Sequence, residues 1–258
     1  MNLIIVNTQE QTMQDILSLI EAKKQHFAQL DLFSFMQDRS LSPSQRLSFA
    51  PCMTHFIMSF SDLNKYVFRK ENIDNRIQEI VNKYTYEDDE HWPWFLTDIE
   101  SLGFNRTLLF SDFLRFIWSE ETKITRQIAY QVAGCCLKAD VTTKIVVVQS
   151  LEAMADVFFS VSTQITSELR VSTKKEYFYF GNLHLGVESE HSMNDKEAQE
   201  ELNSIKLTEL QYRDALEVID TIFNIFSEWT YELLAYARNH PIELALDENF
   251  NAALVVCR

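Results

Sequence analysis

Glycine and proline are scarce in this sequence, whose 258 residues contain four of each. β-Sandwiches and β-barrels need many tight turns, which usually draw on both residue types. The glycine-rich patterns GxGxxG and GxxxxGKS/T are absent as well, so we do not expect nucleotide binding through such loops. These absences favour a fold with few tight turns.

The cysteines form neither a disulfide framework nor a zinc pattern, because there are four of them and no CxxC pair. The opening residues, MNLIIVNTQEQ, place no basic region before their short apolar run, so we expect no signal peptide. No uninterrupted apolar stretch approaches the ~18 residues of a transmembrane helix. We therefore expect a reduced, cytoplasmic protein that does not associate with membranes.

Basic stripes are also missing, and the formal net charge is −15. A surface of this sign repels phosphate backbones, so we expect no nucleic-acid partner. The charge is typical of a solubilising surface.

Large apolar side chains are abundant: hydrophobic residues make up 46% of the chain, enough to bury a sizeable core. They recur at three- and four-residue spacing, the pattern of helices with one face in a core. The polar stretch Asn194–Asn203 is the predicted loop. The predicted helices are Ile16–Phe27, Pro43 to about Lys70, Ile73–Leu102, Leu108–Ile117, Ile124–Leu137, Val141–Leu169, Lys175–Ser192 and Leu207–Asn239.

Helix boundaries are marked by local signals. Ser42 and Asp140 are typical N-cap residues, and Gly103 is a typical C-terminal residue, whereas Pro51 predicts a kink. The β-branched run Val146–Val148 would also suit a strand, but the helical pattern extends far beyond a strand's length. We predict an all-α fold: a single-domain bundle of seven to eight helices spanning residues 1–258.

The segment G-N-L-H-L-G-V-E-S-E-H places three metal-binding residue types on one helix face. His184, Glu188 and His191 are spaced i, i+4, i+7, and at ~100° per residue they project in similar directions. Imidazole and carboxylate together suit iron, manganese or zinc. Tyr179, Phe180 and other apolar neighbours indicate a buried helix, where such groups need partners.

A second cluster, Y-T-Y-E-D-D-E-H-W-P-W, combines acids with a histidine. His91 follows Glu87 by four residues and Asp88 by three, so either acid shares its helix face. A run of acids is usually a solvated surface, but Trp92 beside it indicates core. Pro93 would interrupt a helix just after the histidine.

A third element is a single carboxylate, Glu152, within an apolar helical stretch that includes Leu151 and Met154. An ionised carboxylate in such surroundings needs a neutralising cation. Asp156 lies one turn later on the same face. Three helices thus supply carboxylates and imidazoles, the principle of dimetal sites inside helical bundles. The paired Glu-x-x-His motifs of ferritin-like proteins are not both present.

This set of motifs resembles the heme-oxygenase-like diiron oxidases, also called iron-containing redox enzymes. Members of that family take ligands from an acid and a histidine on one core helix, a glutamate on the next, and His-x3-Asp/Glu-x2-His on a third. The matching positions are His91, Glu152, and then His184, Glu188 and His191. The resemblance covers residues 70–195 by motif and the whole chain by helix number.

The resemblance implies a heme-oxygenase-like fold, two iron ions bound as Fe(II), with manganese as an alternative metal, and O2 as co-substrate. It implies a small-molecule substrate such as an amino acid, an amine or a fatty acid. An external electron donor and a homodimer are implied as well. A substrate carboxylate would need a basic partner, for which Lys123, Arg126 and Lys174 are candidates.

The first acid of the metal site stays open between residues. Several family members place it seven residues before the histidine, where this chain has Tyr84. Others place it three residues before, at the position of Asp88. Glu87 lies one step further away, and Tyr84 itself is a candidate for a weak or substitute ligand.

Three other functions are alternatives. A heme protein of the same fold would use a histidine on the first helix, such as His26. A metal-independent enzyme of the thiaminase or quinone-synthase kind could take a nucleophile from Cys135 or Cys136. A non-catalytic, partner-binding helical protein would bind no iron and would tolerate His184→Ala.

Overall fold

The computed structural model describes residues 11–105, 107–190 and 196–242, apart from the side chains of residues 187–190 and 196–198. Within these ranges the chain forms helices and turns and no β-strand; Thr12 and Lys206 make an isolated bridge. The all-α prediction is confirmed for this part of the chain.

The described ranges hold twelve α-helices, several of them short. They are α1 Met13–Phe27, α2 Asp31–Gln37, α3 Pro43–Arg46, α4 Thr54–Asp62, α5 Arg76–Asp88, α6 Trp92–Ser101, α7 Phe110–Ile117, α8 Lys123–Cys136, α9 Val141–Thr173, α10 Asn182–Glu190, α11 Lys196–Asn203 and α12 Glu209–Asn239.

Helix α9 is the centre of the core. It is 33 residues long, packs against α1, α5, α10 and α12, and buries Val146–Val148 completely. The strand that this run also allowed is therefore absent. By length and composition alone α9 could cross a membrane, but 61% of its most apolar window is buried inside the protein. Core helices of globular proteins commonly have this character.

Predicted helix ends at three places are confirmed. Ser42 caps α3 with Pro43 in its first turn, and the Asp140 side chain accepts a hydrogen bond from Thr143 N at the start of α9. Gly103, after α6, has φ of +85°, a conformation that glycine adopts without strain. Each of these signals involves residues within a few positions of the helix end.

The long helix predicted from Pro43 to Lys70 is wrong as a continuous element. The chain forms α3, a 3-10 turn at Ala50–Met53, α4 and a π-helical turn at Leu63–Phe68. Pro51 lies in the first turn of the 3-10 segment, where its missing N–H is no loss. It separates two helices instead of kinking one.

The helix predicted over Ile73–Leu102 is also divided, into α5 and α6. Pro93 stands in the first turn of α6, a position that suits proline because no helical N–H is needed there. The break falls at residues 89–91. There the Asp89 carboxylate pairs with the Arg69 guanidinium at 2.6 Å, and Arg69 belongs to neither α5 nor α6.

Two predictions in the C-terminal half are wrong. Residues 175–181, predicted as helical, are not, and α10 begins only at Asn182. The predicted loop Asn194–Asn203 contains helix α11 over its described part. The last long helix agrees within two residues with its prediction.

Candidate metal centre

Asp88, His91 and His184 meet in the interior of the protein. Their side chains are 5%, 8% and 2% exposed, and one potential ligand atom from each lies within 4.8 Å of the other two. Buried carboxylates and imidazoles need compensating partners. The structure thus joins one residue of the His184 motif to two residues of the acidic, tryptophan-rich motif. His184 and His91 are 93 positions apart in the sequence.

The break between α5 and α6 orients Asp88 and His91. Asp88 is the last residue of α5 and His91 immediately precedes α6, and Asp88 Oδ1 lies 2.7 Å from His91 Nδ1. The second carboxylate oxygen of Asp88 accepts a hydrogen bond of 3.2 Å from the buried Tyr84 hydroxyl. Both oxygens of Asp88 therefore have fixed neighbours.

Among the candidates for the first acid, Asp88 is the residue that joins the cluster. Glu87 is half-buried and belongs neither to the cluster nor to the cavity lining described below. Tyr84 contacts the carboxylate of Asp88 and lines the cavity.

His184 lies in the first turn of α10, and its ring orientation is determined by a backbone carbonyl. Its Nδ1 lies 2.9 Å from Tyr179 O; since a carbonyl oxygen only accepts, Nδ1 carries the proton. In the neutral ring, Nε2 then has the free lone pair, the arrangement that metal-ligating histidines usually have. The ring packs against Phe159 at 4.0 Å and against His91 at 4.6 Å between centroids.

A residue that sequence reasoning missed holds this segment in place. Asp98 of α6 is fully buried and accepts hydrogen bonds from the backbone N–H groups of Phe178 (2.7 Å) and Phe180 (2.9 Å). Those residues flank Tyr179, whose carbonyl holds His184. Burial raises the pKa of the Asp98 carboxyl to about 6, although the two backbone hydrogen bonds act in the opposite direction.

Glycine at position 181 is a second requirement of the segment. A Cβ on Gly181 would lie 2.0 Å from the carbonyl oxygen of Tyr177. The backbone can turn tightly into α10 only because no side chain is present.

Glu152 reaches the same region from α9. It is half-buried and lines a cavity of about 100 Å³ together with Asp88, His91 and His184. Asp156, the next acid on that face, is instead paired with Lys24 of α1 at 2.5 Å and is half exposed.

The predicted ligands Glu188 and His191 are not tested. The backbone of Glu188 belongs to α10, but its side chain and the whole of His191 lie outside the described residues.

Apolar side chains make up most of the cavity wall. They come from α1, α2, α4, α9 and α12, and include Phe33, Phe56, Phe158, Phe226 and Trp229. The described lining residues include no lysine or arginine.

The basic residues predicted as partners for a substrate carboxylate lie away from the cavity. Lys123, Arg126 and Lys174 are all absent from its lining. Arg126 instead donates hydrogen bonds to the carbonyls of Ile117 and Ser119.

The donor set fits a divalent transition metal such as iron, manganese or zinc. Ligand bonds of about 2.1 Å hold the ligand atoms of one ion no more than ~4.2 Å apart. Atoms that lie within 4.8 Å of one another need close by only a few tenths of an ångström to share an ion. One carboxylate and two imidazoles are the donors of non-heme iron sites with open positions.

The residues required by the rival enzymes are poorly placed. His26 is exposed on α1. Burial raises the pKa of the Cys136 thiol to about 12 and also raises that of Cys135, so both stay protonated and weakly nucleophilic at neutral pH. Neither cysteine lines the cavity.

Comparison with known proteins found no family model that matches this chain. It also found no match among curated proteins. The resemblance to heme-oxygenase-like diiron oxidases therefore stays a prediction based on motifs.

Proposed function

We propose that this protein is a non-heme diiron oxidoreductase of the heme-oxygenase-like kind, which uses O2 to oxidise a small organic substrate. The observation that carries the proposal is the buried cluster of Asp88, His91 and His184, whose potential ligand atoms converge beside an apolar cavity. Burying three polar side chains together is costly unless a cation or a network compensates them.

A second carboxylate supports a site larger than one ion. Glu152 lines the cavity from α9, where its carboxylate would help to hold the metal. Glu188 and His191 of the α10 motif would complete the second ion's ligands. Asp88 ends α5, His91 precedes α6, Glu152 belongs to α9 and His184 to α10.

Iron, when bound as Fe(II), supplies electrons for the reduction of O2. The protein's own contribution is to orient the metal-ligating side chains and to restrict the access of water. Tyr179 O keeps the proton of His184 on Nδ1, and the Tyr84 hydroxyl holds one oxygen of Asp88. The mostly apolar wall would restrict the access of water to the site, which protects reactive species from side reactions. An external electron donor would return the site to Fe(II).

The volume of the cavity favours a compact substrate. About 100 Å³ is less than the ~150 Å³ of an engineered cavity that binds benzene. A long fatty-acid chain would require the walls to open, whereas a compact amine or a small apolar substrate would require little movement.

An anaerobic Fe(II) titration with two matched variants tests the proposal. Asp88→Asn removes a charged donor from the cluster, whereas Glu87→Gln makes the same chemical change one residue away. We expect two irons per chain in the parent and in Glu87→Gln, fewer in Asp88→Asn, and O2 consumption by the loaded parent. Equal iron binding by both variants would contradict the assignment of Asp88.

A further inference from the structure

Trp229 of α12 is a second polar feature of the cavity, on a helix that carries none of the predicted metal ligands. The residue lines the cavity and is 7% exposed. Its indole Nε1–H is buried, and no acceptor among the described residues forms a hydrogen bond with it. Buried indole N–H groups usually have a partner.

Two aromatic rings pack against the indole of Trp229. The ring of Phe56 lies 5.0 Å away and that of Phe226 5.7 Å away, both roughly edge-to-face. The neighbouring Thr230 hydroxyl donates its own hydrogen to Ser227 O. Among the lining residues of α12, the indole N–H is therefore the donor that no described hydrogen bond uses.

The charge of the cavity restricts what that donor can meet. The ionisable acids among the described lining residues are Asp88, Asp89 and Glu152, and there is no lysine or arginine. Asp89 is already paired with Arg69. Without a bound metal, an anionic group beside Trp229 would find no lysine or arginine in the described wall, whereas a neutral carbonyl or ether oxygen needs no countercharge.

We propose that the substrate of this oxidase is an uncharged, compact and largely apolar molecule that accepts a hydrogen bond from Trp229 Nε1. Trp229 is then a specificity-determining residue at the wall formed by α12. That the bound molecule is a substrate rests on the proposed function. The binding site itself does not depend on a bound metal.

A pair of isosteric probes isolates the hydrogen bond. Cyclopentanone and methylenecyclopentane have the same shape and size, but only the ketone carries an acceptor. Their affinities are measured by NMR titration of the metal-free protein, and the indole N–H resonance of Trp229 is identified by its loss in Trp229→Phe. This variant keeps an aromatic ring and removes the donor. Trp118→Phe, at a 62% exposed position, is the matched control.

We expect the parent and Trp118→Phe to bind the ketone about fivefold more tightly than the alkene, the effect of one net hydrogen bond. We expect Trp229→Phe to bind both probes equally, and the Trp229 N–H signal of the parent to move downfield with the ketone alone. Equal affinities in the parent would overturn the proposal, because the N–H would then be directed at the face of a neighbouring ring. Binding of neither probe would overturn it as well.

The use of metal-free protein separates this test from that of the proposed function. A preference for the ketone in a protein that binds no iron would refute the oxidase and leave the ligand site. Two bound irons without any preference would refute the role of Trp229 alone.

Discussion

Gly181→Ala is the most direct test of how the fold positions the metal ligands. The new Cβ would lie 2.0 Å from Tyr177 O, and an ordinary contact begins at 3.4 Å, so atoms must separate by about 1.4 Å. The clashing atom belongs to the backbone and cannot rotate away. The strain falls three residues before His184, at the start of α10.

We expect this overpacking to lower the free energy of unfolding by about 3 kcal/mol, the upper part of the usual range for such changes. We also expect weaker Fe(II) binding, because displacement of the turn moves Tyr179 O away from His184 Nδ1. Urea denaturation measures the first effect, and anaerobic iron titration measures the second.

Gly134→Ala is the matched control. Gly134 lies within α8, and a Cβ there would have no atom within 4 Å. Alanine should raise stability by about 0.5–1 kcal/mol because glycine is unfavourable inside helices. If Gly181→Ala unfolds within about 0.5 kcal/mol of the parent and binds iron equally well, the account of this turn is wrong.

Two further substitutions test the groups around the ligands. Tyr84→Phe removes the hydrogen bond to Asp88, so we expect urea denaturation to show a loss of about 1 kcal/mol with unchanged iron stoichiometry; loss of an iron would mean that Tyr84 is itself a ligand. Asp98→Asn tests whether the buried Asp98 carboxyl changes stability with pH. The pKa of Asp98 is raised from 3.8 to about 6. Between pH 4 and pH 6 the folded protein therefore holds a proton on Asp98 that the unfolded chain has released. The free energy of unfolding of the metal-free parent should therefore fall as pH rises from 4 to 6 and then level off. Relative to Asp98→Asn, the fall should be on the order of 3 kcal/mol. If the free energies of unfolding of the two proteins change with pH in parallel, the assignment is refuted.

Helix type and several helix ends could be predicted because their causes are local. Ser42, Asp140 and Gly103 act through hydrogen bonds or backbone angles within four residues of the helix end. The periodicity of α9 and α12 is long enough to be unambiguous.

Pro51 and Pro93 indicated irregularities near two of the helix breaks, but the residues at which the helices end could not be predicted, because some of the partners involved lie far apart in the sequence. Residues 89–91 leave the helix where Asp89 pairs with Arg69, 20 positions away. Residues 175–181 leave it where Phe178 and Phe180 bond to Asp98, about 80 positions away. Periodicity records which face is apolar, and it carries no information on such partners.

The candidate site was predicted only in part, because residue type and spacing do not show which helix ends and distant partners position a side chain. Residue type and spacing indicated His91, Glu152 and His184, and the structure places them around one cavity. Spacing allowed both Glu87 and Asp88, and only the end of α5 at Asp88 separates them. The signal for Asp98 was an acid three residues after Phe95 on an otherwise apolar helix face, a pattern that also occurs on ordinary surface helices.

The central claim is that His184 ligates a metal, and iron stoichiometry of His184→Ala against His26→Ala tests it most directly. His26 is exposed on α1, so its substitution controls for nonspecific binding by imidazole. The account predicts two Fe(II) per chain, with a transient visible absorbance on exposure to O2, in the parent and in His26→Ala. In His184→Ala it predicts loss of the two-iron stoichiometry and of the absorbance. Undiminished iron binding by a folded His184→Ala variant would contradict it.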